Sequence, residues 1–388
     1  LLELEGAHPA VFGEIPAPKG APTIMLYAHH DVQPPGPAEL WDSAPFEPVE
    51  RDGRLYGRGT SDDKAGIAVH LGAIRAHGGT PPVGVKVFVE GEEEVGSAHL
   101  GDFLNEYRKL LSADAIVIAD SANWKVGEPA LTVSLRGLVD CVVEVRTLAS
   151  AVHSGGFGGT VPDALISLSR LRATLHNDRG EVAVAGLISG ETTAIDLDES
   201  ELRSQAGTVD GLELIGTGSI TARMWRKPAI AVLGIDAPPV AGAINALVPV
   251  ARAKISVRLA PGDVPERAMA ALVQHLEDNA PWGAQVTVTP GSSGEAFDLD
   301  TTGAAYDAYR DAFAVAWDRE SIDIGQGGSI PFVAAFSEMF PNAAILLTAV
   351  GDPTSAAHGP NESQDLDDLR RGTIAEAIAL RLLATQDG

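Results

Sequence analysis

The sequence predicts an α/β protein: a mixed sheet flanked by helices, interrupted by a second, ferredoxin-like domain. Three observations carry that prediction. Up to residue 132, short apolar runs alternate with segments of helical spacing. From about residue 133 the order becomes strand, helix, strand, given twice. After residue 296 the alternation of strand and helix resumes. The boundaries expected are therefore 1–132 with 296–388 for a discontinuous first domain, and 133–295 for an inserted second one.

Residues 23–29 (TIMLYAH), 85–90 and 114–119 (ADAIVI) are short apolar runs of the kind buried inside an α/β sheet. Between them, 63–77 and 97–111 have helical spacing, with Asp62 and Ser97 suited to the helix N-termini. The inserted part reads as strand 138–147, helix 162–175 and a strand near 229–235, then strand 251–259, helix 264–278 and strand 284–290. The two rounds share no sequence similarity, so the repeat is one of topology only. Residues 177–225, rich in Gly, Thr and acidic residues, are expected to be irregular. The closing stretch gives helix 302–316, strand 343–350 and helix 364–384.

At 388 residues the chain is long for one core, and two domains are the default. No run of about eighteen apolar residues exists, so no membrane span is expected. A formal net charge of −25 argues against nucleic acid, whose phosphates need a basic surface. The single Cys141 excludes an intramolecular disulfide and a thiolate metal cluster; its setting, VDCVVEV, alternates like a strand and suggests a buried, inert thiol. A reducing, cytoplasmic compartment is the expectation. Leu1 is not an initiator, which leaves a preceding segment open.

The most informative stretch is EGEEEVGS, residues 90–97, with carboxylates at Glu90, Glu92, Glu93 and Glu94 directly after a strand. Adjacent like charges raise one another's pKa unless a cation neutralises them. Alone, the run reads equally well as a solvated acidic loop. Three other strand ends also carry ligand-type residues: YAHHD (27–31), GTSDDK (59–64) and VIADS (117–121). AAHGP (356–360) adds a further histidine. Several His and Asp/Glu residues at strand exits point to a metal site. In extended geometry His29 and Asp31 share a face, so Asp31 is placed to orient the imidazole, although such a pair also occurs on plain surfaces. Asp62 also reads as a simple helix cap, which explains one aspartate of the Asp62–Asp63 pair but not both. Of the adjacent pair Glu93 and Glu94, a hydrolytic site asks one to bind metal and the other to take a proton from water.

Taken together, these segments resemble the di-zinc metallopeptidase family of carnosinases, aminoacylases and succinyl-diaminopimelate desuccinylase. The resemblance covers essentially the whole chain after residue 20, through YAHHDVQP, GRGTSDDKAG, EGEEEVGS, VIADS and AAHGPNE in the family's order. It implies His29 and Asp120 on one divalent cation, Glu94 and His358 on the other, and Asp62 bridging both. It further implies Glu93 as general base, Asp31 as the residue that orients His29, and a cis peptide between Asp62 and Asp63. Zinc is the implied metal, with manganese or cobalt compatible with the same donors.

VHSGGFGG (152–159) is similar to the family's lid motif, whose histidine, here His153, reaches the partner subunit's site. The inserted domain is thereby implied to serve as lid and dimerisation domain of a homodimer. GQGGSIP (325–331), with Gly328 and Ser329, and Arg258 in ISVRLAP match elements that hold a substrate carboxylate; Asn245 falls in a lid loop. Without the resemblance, Arg258 reads as an exposed sheet arginine and the glycine segment as an ordinary turn. The implied function is hydrolysis of dipeptides or short peptides with a free C-terminal carboxylate. An N-acyl-amino-acid deacylase using the same site is the alternative. A silent peptide-binding dimer is disfavoured, because it has no physical need for clustered, mutually repelling carboxylates.

Overall fold

The structure, a computed structural model, describes residues 1–191, 195–328 and 331–385. It divides into two compact units, Leu1–Val133 with Leu299–Ile324 and Pro331–Gly388, and Ser134–Asp298 with Gly325–Ile330.

The first unit is built on a mixed sheet. Its strands are ordered Val11–Ile15, Gly84–Glu90, Thr23–His29, Ala115–Ile118, Ala344–Leu347 and the start of Ala130–Leu135. The four inner strands run parallel, and the outer two are antiparallel. Thr23–His29 is buried along nearly its whole length because helices cover both faces. Ile24 and Leu26 join a core with Ala73, Tyr309, Phe313, Ala379 and Leu380 from three helices on one side. Tyr27 points the other way, its ring centroid 4.7 Å from that of Phe332 and 5.4 Å from that of Phe336. Burying each such apolar side chain contributes about 1.5–3 kcal/mol. The inner strands all end at the same edge, and their carboxyl ends are where open α/β sheets place their sites.

The second unit carries a four-stranded antiparallel sheet in the order Ala229–Asp236, Val250–Leu259, Gly137–Arg146, Gln285–Gly294. With helices Ala164–Ala173 and Pro265–Asp278, this is the split βαβ–βαβ arrangement. Its core joins Val139, Cys141, Val143 and Ile255 of the sheet to Leu168, Leu171, Leu272 and Leu276 of the helices. Cys141 is fully buried, and burial pushes its thiol up to about 11, which makes it a poor nucleophile.

Three expectations need correction. The helix over 97–111 is broken into Leu100–Glu106 and Arg108–Leu111, with Tyr107 leaving helical geometry at φ −102°, ψ 20°. Asp63, not Asp62, caps helix Lys64–Ala76, its carboxylate accepting from the Gly66 N–H at 3.1 Å. Only glycine fits at 66, since a Cβ there would lie 2.4 Å from Asp63 Oδ1. The described residues of 177–225 hold two helices, Glu199–Ala206 and Ile220–Trp225, capped by Asp198 and Ser219. The first of these buries no residue, so it has no apolar stripe to read. No helix among the described residues is long and apolar enough to cross a membrane.

Candidate metal centre

The strand Thr23–His29 delivers His29, wholly buried, to the carboxyl edge of the sheet. Its Nδ1 faces Asp31, 3.2 Å from the carbonyl and 3.3 Å from Oδ1. This fixes the ring and leaves Nε2 to point at carboxylates: Asp62 Oδ1 at 2.9 Å, Asp120 Oδ2 at 3.9 Å and Glu93 Oε2 at 4.0 Å. Asp31 also holds the turn opposite, since its carboxylate accepts from the Glu93 N–H at 3.3 Å and the Glu94 N–H at 2.9 Å.

Asp62 sits across the cis peptide Asp62–Asp63, and its two oxygens diverge. Oδ1 faces His29, while Oδ2 lies 2.9 Å from His358 Nε2. His358 in turn lies 3.2 Å from Glu94 Oε2. Two groups result, His29–Glu93–Asp120 and Asp62–Glu94–His358, whose donor atoms lie within 4.8 Å of one another in each. Asp62 is the link between them. Asp63 turns inward instead, accepting from the His29 N–H at 3.2 Å, so that the end of the strand and the start of the helix are tied together.

The electrostatics of the protein groups alone are unbalanced. Burial, then the Asp120 charge, pushes Glu93 up to about 8. Burial pushes Asp120 up to about 6, with the charges of Asp62 and Glu94 adding to it. Burial would lower His29, but hydrogen bonds to Asp31 and Asp62 and the Asp120 charge drive it up to about 12. The carboxylates thus crowd one another at positions where divalent cations would satisfy the same oxygens and nitrogens. Nitrogen and oxygen donors in two adjacent groups sharing one carboxylate fit a pair of divalent cations.

Other carboxylates and histidines near this edge are engaged in contacts away from the two donor groups. Glu90 is buried and accepts from the Tyr27 hydroxyl at 2.6 Å. Glu92 accepts from the His8 N–H and pairs with His99 Nδ1, both at 2.8 Å. His70 is buried against Glu376 at 2.8 Å. Gln33 and Glu362, which grip the ligand-bearing turns, went unread in the sequence, because their partners are 61 and 300 or more residues away along the chain.

The other sequence candidates belong to the second unit. Val152–His153 pairs with Ala246–Leu247, placing the exposed His153 opposite Ala246, and the Asn245 carbonyl accepts from the Ser154 N–H at 3.1 Å. Arg258, half-buried on Val250–Leu259, has its pKa lowered by burial. Burial, and then the like charge of Arg258, lowers Arg136 to about 10. Arg136 is a second half-buried guanidinium that sequence reasoning missed, and among the described residues its Nε has no hydrogen-bond partner. Its Nη2 would lie 2.9 Å from a Cβ at Gly327, so a larger residue there would displace the guanidinium. Gly328 is half-buried; Ser329 lies outside the described residues.

An α/β fold with two carboxylate–histidine groups meeting at one shared aspartate is the arrangement of a two-cation metallohydrolase. The family model of Peptidase family M20/M25/M40 matches residues 25–381. The chain belongs to that family and is a metallopeptidase. It is 37% identical over 369 residues to the cysteinylglycine-S-conjugate dipeptidase of Corynebacterium striatum, covering 92% of this chain and 80% of that protein. Beta-Ala-His dipeptidase of Homo sapiens is 28% identical over 375 residues, covering 91% and 73%. Among solved structures, human carnosine dipeptidase 1 gives a TM-score of 0.81 at 26% identity, covering 98% of this chain and 83% of that one. Members of the family use divalent metals, and these relatives belong to its dipeptidase, carnosinase-like branch.

Proposed function

We propose that this protein hydrolyses dipeptides or short peptides that end in a free carboxylate. The observation that carries the reading is Asp62, whose two oxygens face two histidines in separate donor groups. His29 and Asp120 would hold one cation, Glu94 and His358 the other, with Asp62 on both and Asp31 fixing the His29 ring. Zinc suits this donor set best, with manganese or cobalt compatible. When bound, the pair neutralises the carboxylates, polarises a carbonyl and acidifies water.

Glu93 then acts as the base. Among the described residues no hydrogen-bond donor holds its carboxylate, whereas Glu94 is gripped by Gln33 at 2.8 and 3.0 Å. A base must change protonation during the reaction, and a carboxylate free of fixed donors does so at lower cost. Glu93 takes one proton from water as the oxygen attacks the carbonyl carbon. It gives that proton to the amine nitrogen as the C–N bond breaks, leaving a carboxylic acid and an amine; the acid's proton, the second from the water, then passes to the amine to give carboxylate and ammonium. His153 would stabilise the oxyanion from a partner subunit, with Asn245 beside it. Arg258 and the Gly328–Ser329 turn would hold the substrate's terminal carboxylate.

A homodimer through the second unit is part of this reading. Strand Ala229–Asp236 is an edge that exposes Val232, Leu233 and Ile235, a surface suited to a partner. A cytoplasmic setting belongs to the same reading, and the lone, unpaired Cys141 is compatible with it. Dipeptides rank above N-acyl amino acids because the relatives named above are dipeptidases. Release of free amino acid from a dipeptide panel and an N-acyl-amino-acid panel, with and without chelator, tests the assignment. Chelator-sensitive cleavage of dipeptides is expected; chelator-resistant cleavage, or cleavage of acyl amino acids alone, would overturn it.

A further inference from the structure

Glu362 stands four residues after His358, in the same loop, and is completely buried. Both of its carboxylate oxygens are committed to the turn that delivers Asp62. Oε2 accepts from Arg58 Nη1 at 2.5 Å and from the Gly59 N–H at 2.9 Å. Oε1 accepts from the N–H groups of Ser61 and Asp62, both at 3.0 Å. The Glu362 carbonyl accepts from the Gly57 N–H at 2.9 Å as well. One side chain thus gathers the Arg58 guanidinium and the N–H groups of Gly59, Ser61 and Asp62, in a segment with no helix or strand of its own to pair them.

We propose that Glu362 is a positioning residue of the metal centre, fixing the aim of Asp62 relative to His358. The inference rests on the metal-centre reading above. A carboxylate that serves two cations must keep both oxygens aimed at once, so rotation of its backbone costs both sites together. Holding the Asp62 N–H removes that rotation. Because Glu362 and His358 share a loop, the same contact sets the spacing between the two ligands. Glu362 itself has no oxygen left for a cation. The plainer alternative is a loop staple in which only the Arg58–Glu362 ion pair matters, and Arg58 separates the two.

The test uses the full chain as wild type, Glu362→Gln, Glu362→Asp and Arg58→Met. Each is stripped of metal and titrated with Zn2+ alone against a chromophoric chelator, with Tm measured alongside. Glu362→Gln cannot accept from all four donors, and its zinc affinity is expected to fall by about 10–100-fold. Glu362→Asp keeps the charge beside Arg58 but is one methylene too short for the Ser61 and Asp62 amides, so it is expected to lose a similar factor. It carries the comparison should Glu362→Gln fold poorly. Arg58→Met breaks the ion pair yet leaves those amide bonds, and should bind zinc within about threefold of wild type even where its Tm falls as far. Wild-type affinity in both Glu362 variants, or an equal loss in Arg58→Met, would overturn the proposal while leaving the metal centre standing. A wild-type chain that takes up no zinc would overturn the metal centre and this inference with it.

Discussion

Gln33 meets Glu94 at both carboxylate oxygens: its backbone N–H lies 3.0 Å from Oε1 and its side-chain amide 2.8 Å from Oε2. The same amide lies 3.1 Å from the Glu94 carbonyl. Glu94 is therefore locked in place toward His358, while among the described residues its neighbour Glu93 has no comparable grip. Two adjacent glutamates become different groups through one glutamine on another loop.

Removing that grip should weaken the cation that Glu94 serves. Gln33→Ala is expected to lower affinity for one of the two cations by about 10–100-fold, the usual cost of losing a partner that orients a ligand. Gln33→Glu should lose more, because it sets a like charge against Glu94. Stepwise zinc titration checks this, and an unchanged weaker site in both variants would exclude a role for Gln33.

Asp62→Ala should lose most bound metal and all measurable turnover, since the bridge serves both cations. Glu93→Gln should keep its metal and lose about two to four decades in kcat, the range for a general base. Metal analysis of purified variants with kcat measured on one dipeptide decides the matter. A metal-free Glu93→Gln would exchange the roles assigned to Glu93 and Glu94.

The ligand-type residues were legible because strand ends are written locally: an apolar run followed at once by His29, by Glu93 and Glu94 after Glu90, or by Asp120. The mixed sheet flanked by helices could be read for the same reason. What went unread depends on distance along the chain. Gln33, Arg136 and Glu362 are common residue types whose partners only the fold brings near. Helix Glu199–Ala206 is held by its Asp198 cap and the Glu199–Arg203 pair rather than by apolar burial, so it left no periodic signal. Asp63 displaced Asp62 as the cap because either aspartate suits a helix start, and only the tertiary setting turns one inward.

His70 and Glu376 form a buried pair within the first unit. Burial alone would lower the His70 pKa, but the Glu376 charge and hydrogen bond more than offset it, so the net shift is upward. A raised folded-state pKa gives stability that is fully present below the unfolded value of about 6.5 and lost as pH rises through the folded value. Glu376→Gln should therefore destabilise by about 3–5 kcal/mol near pH 6. The gap to wild type should narrow by about 1.4 kcal/mol per pH unit above about 7. Urea unfolding from pH 6 to 9 measures it, and a flat difference above pH 7 would mean that His70 is neutral in the fold.

Substrate polarity gives the sharpest test of the proposed specificity. Arg258 and Arg136 are two guanidiniums close enough to repel, and neither has a carboxylate partner among the described residues. Like charges held together at a half-buried position are costly unless an anion is received there. A guanidinium–carboxylate contact contributes about 1.5–3 kcal/mol net. Amidating the C-terminus of a good dipeptide should therefore reduce kcat/KM by about one to two decades. Arg258→Ala should lose a similar factor on the free acid and almost nothing more on the amide. Arg136→Ala should lose part of it, because removing one cation leaves the other to receive the anion alone. The decisive quantity is the coupling between side chain and carboxylate. Equal losses from Arg258→Ala on acid and amide would show that Arg258 supports the sheet of the second unit, and the carboxylate would then have to be bound by other residues.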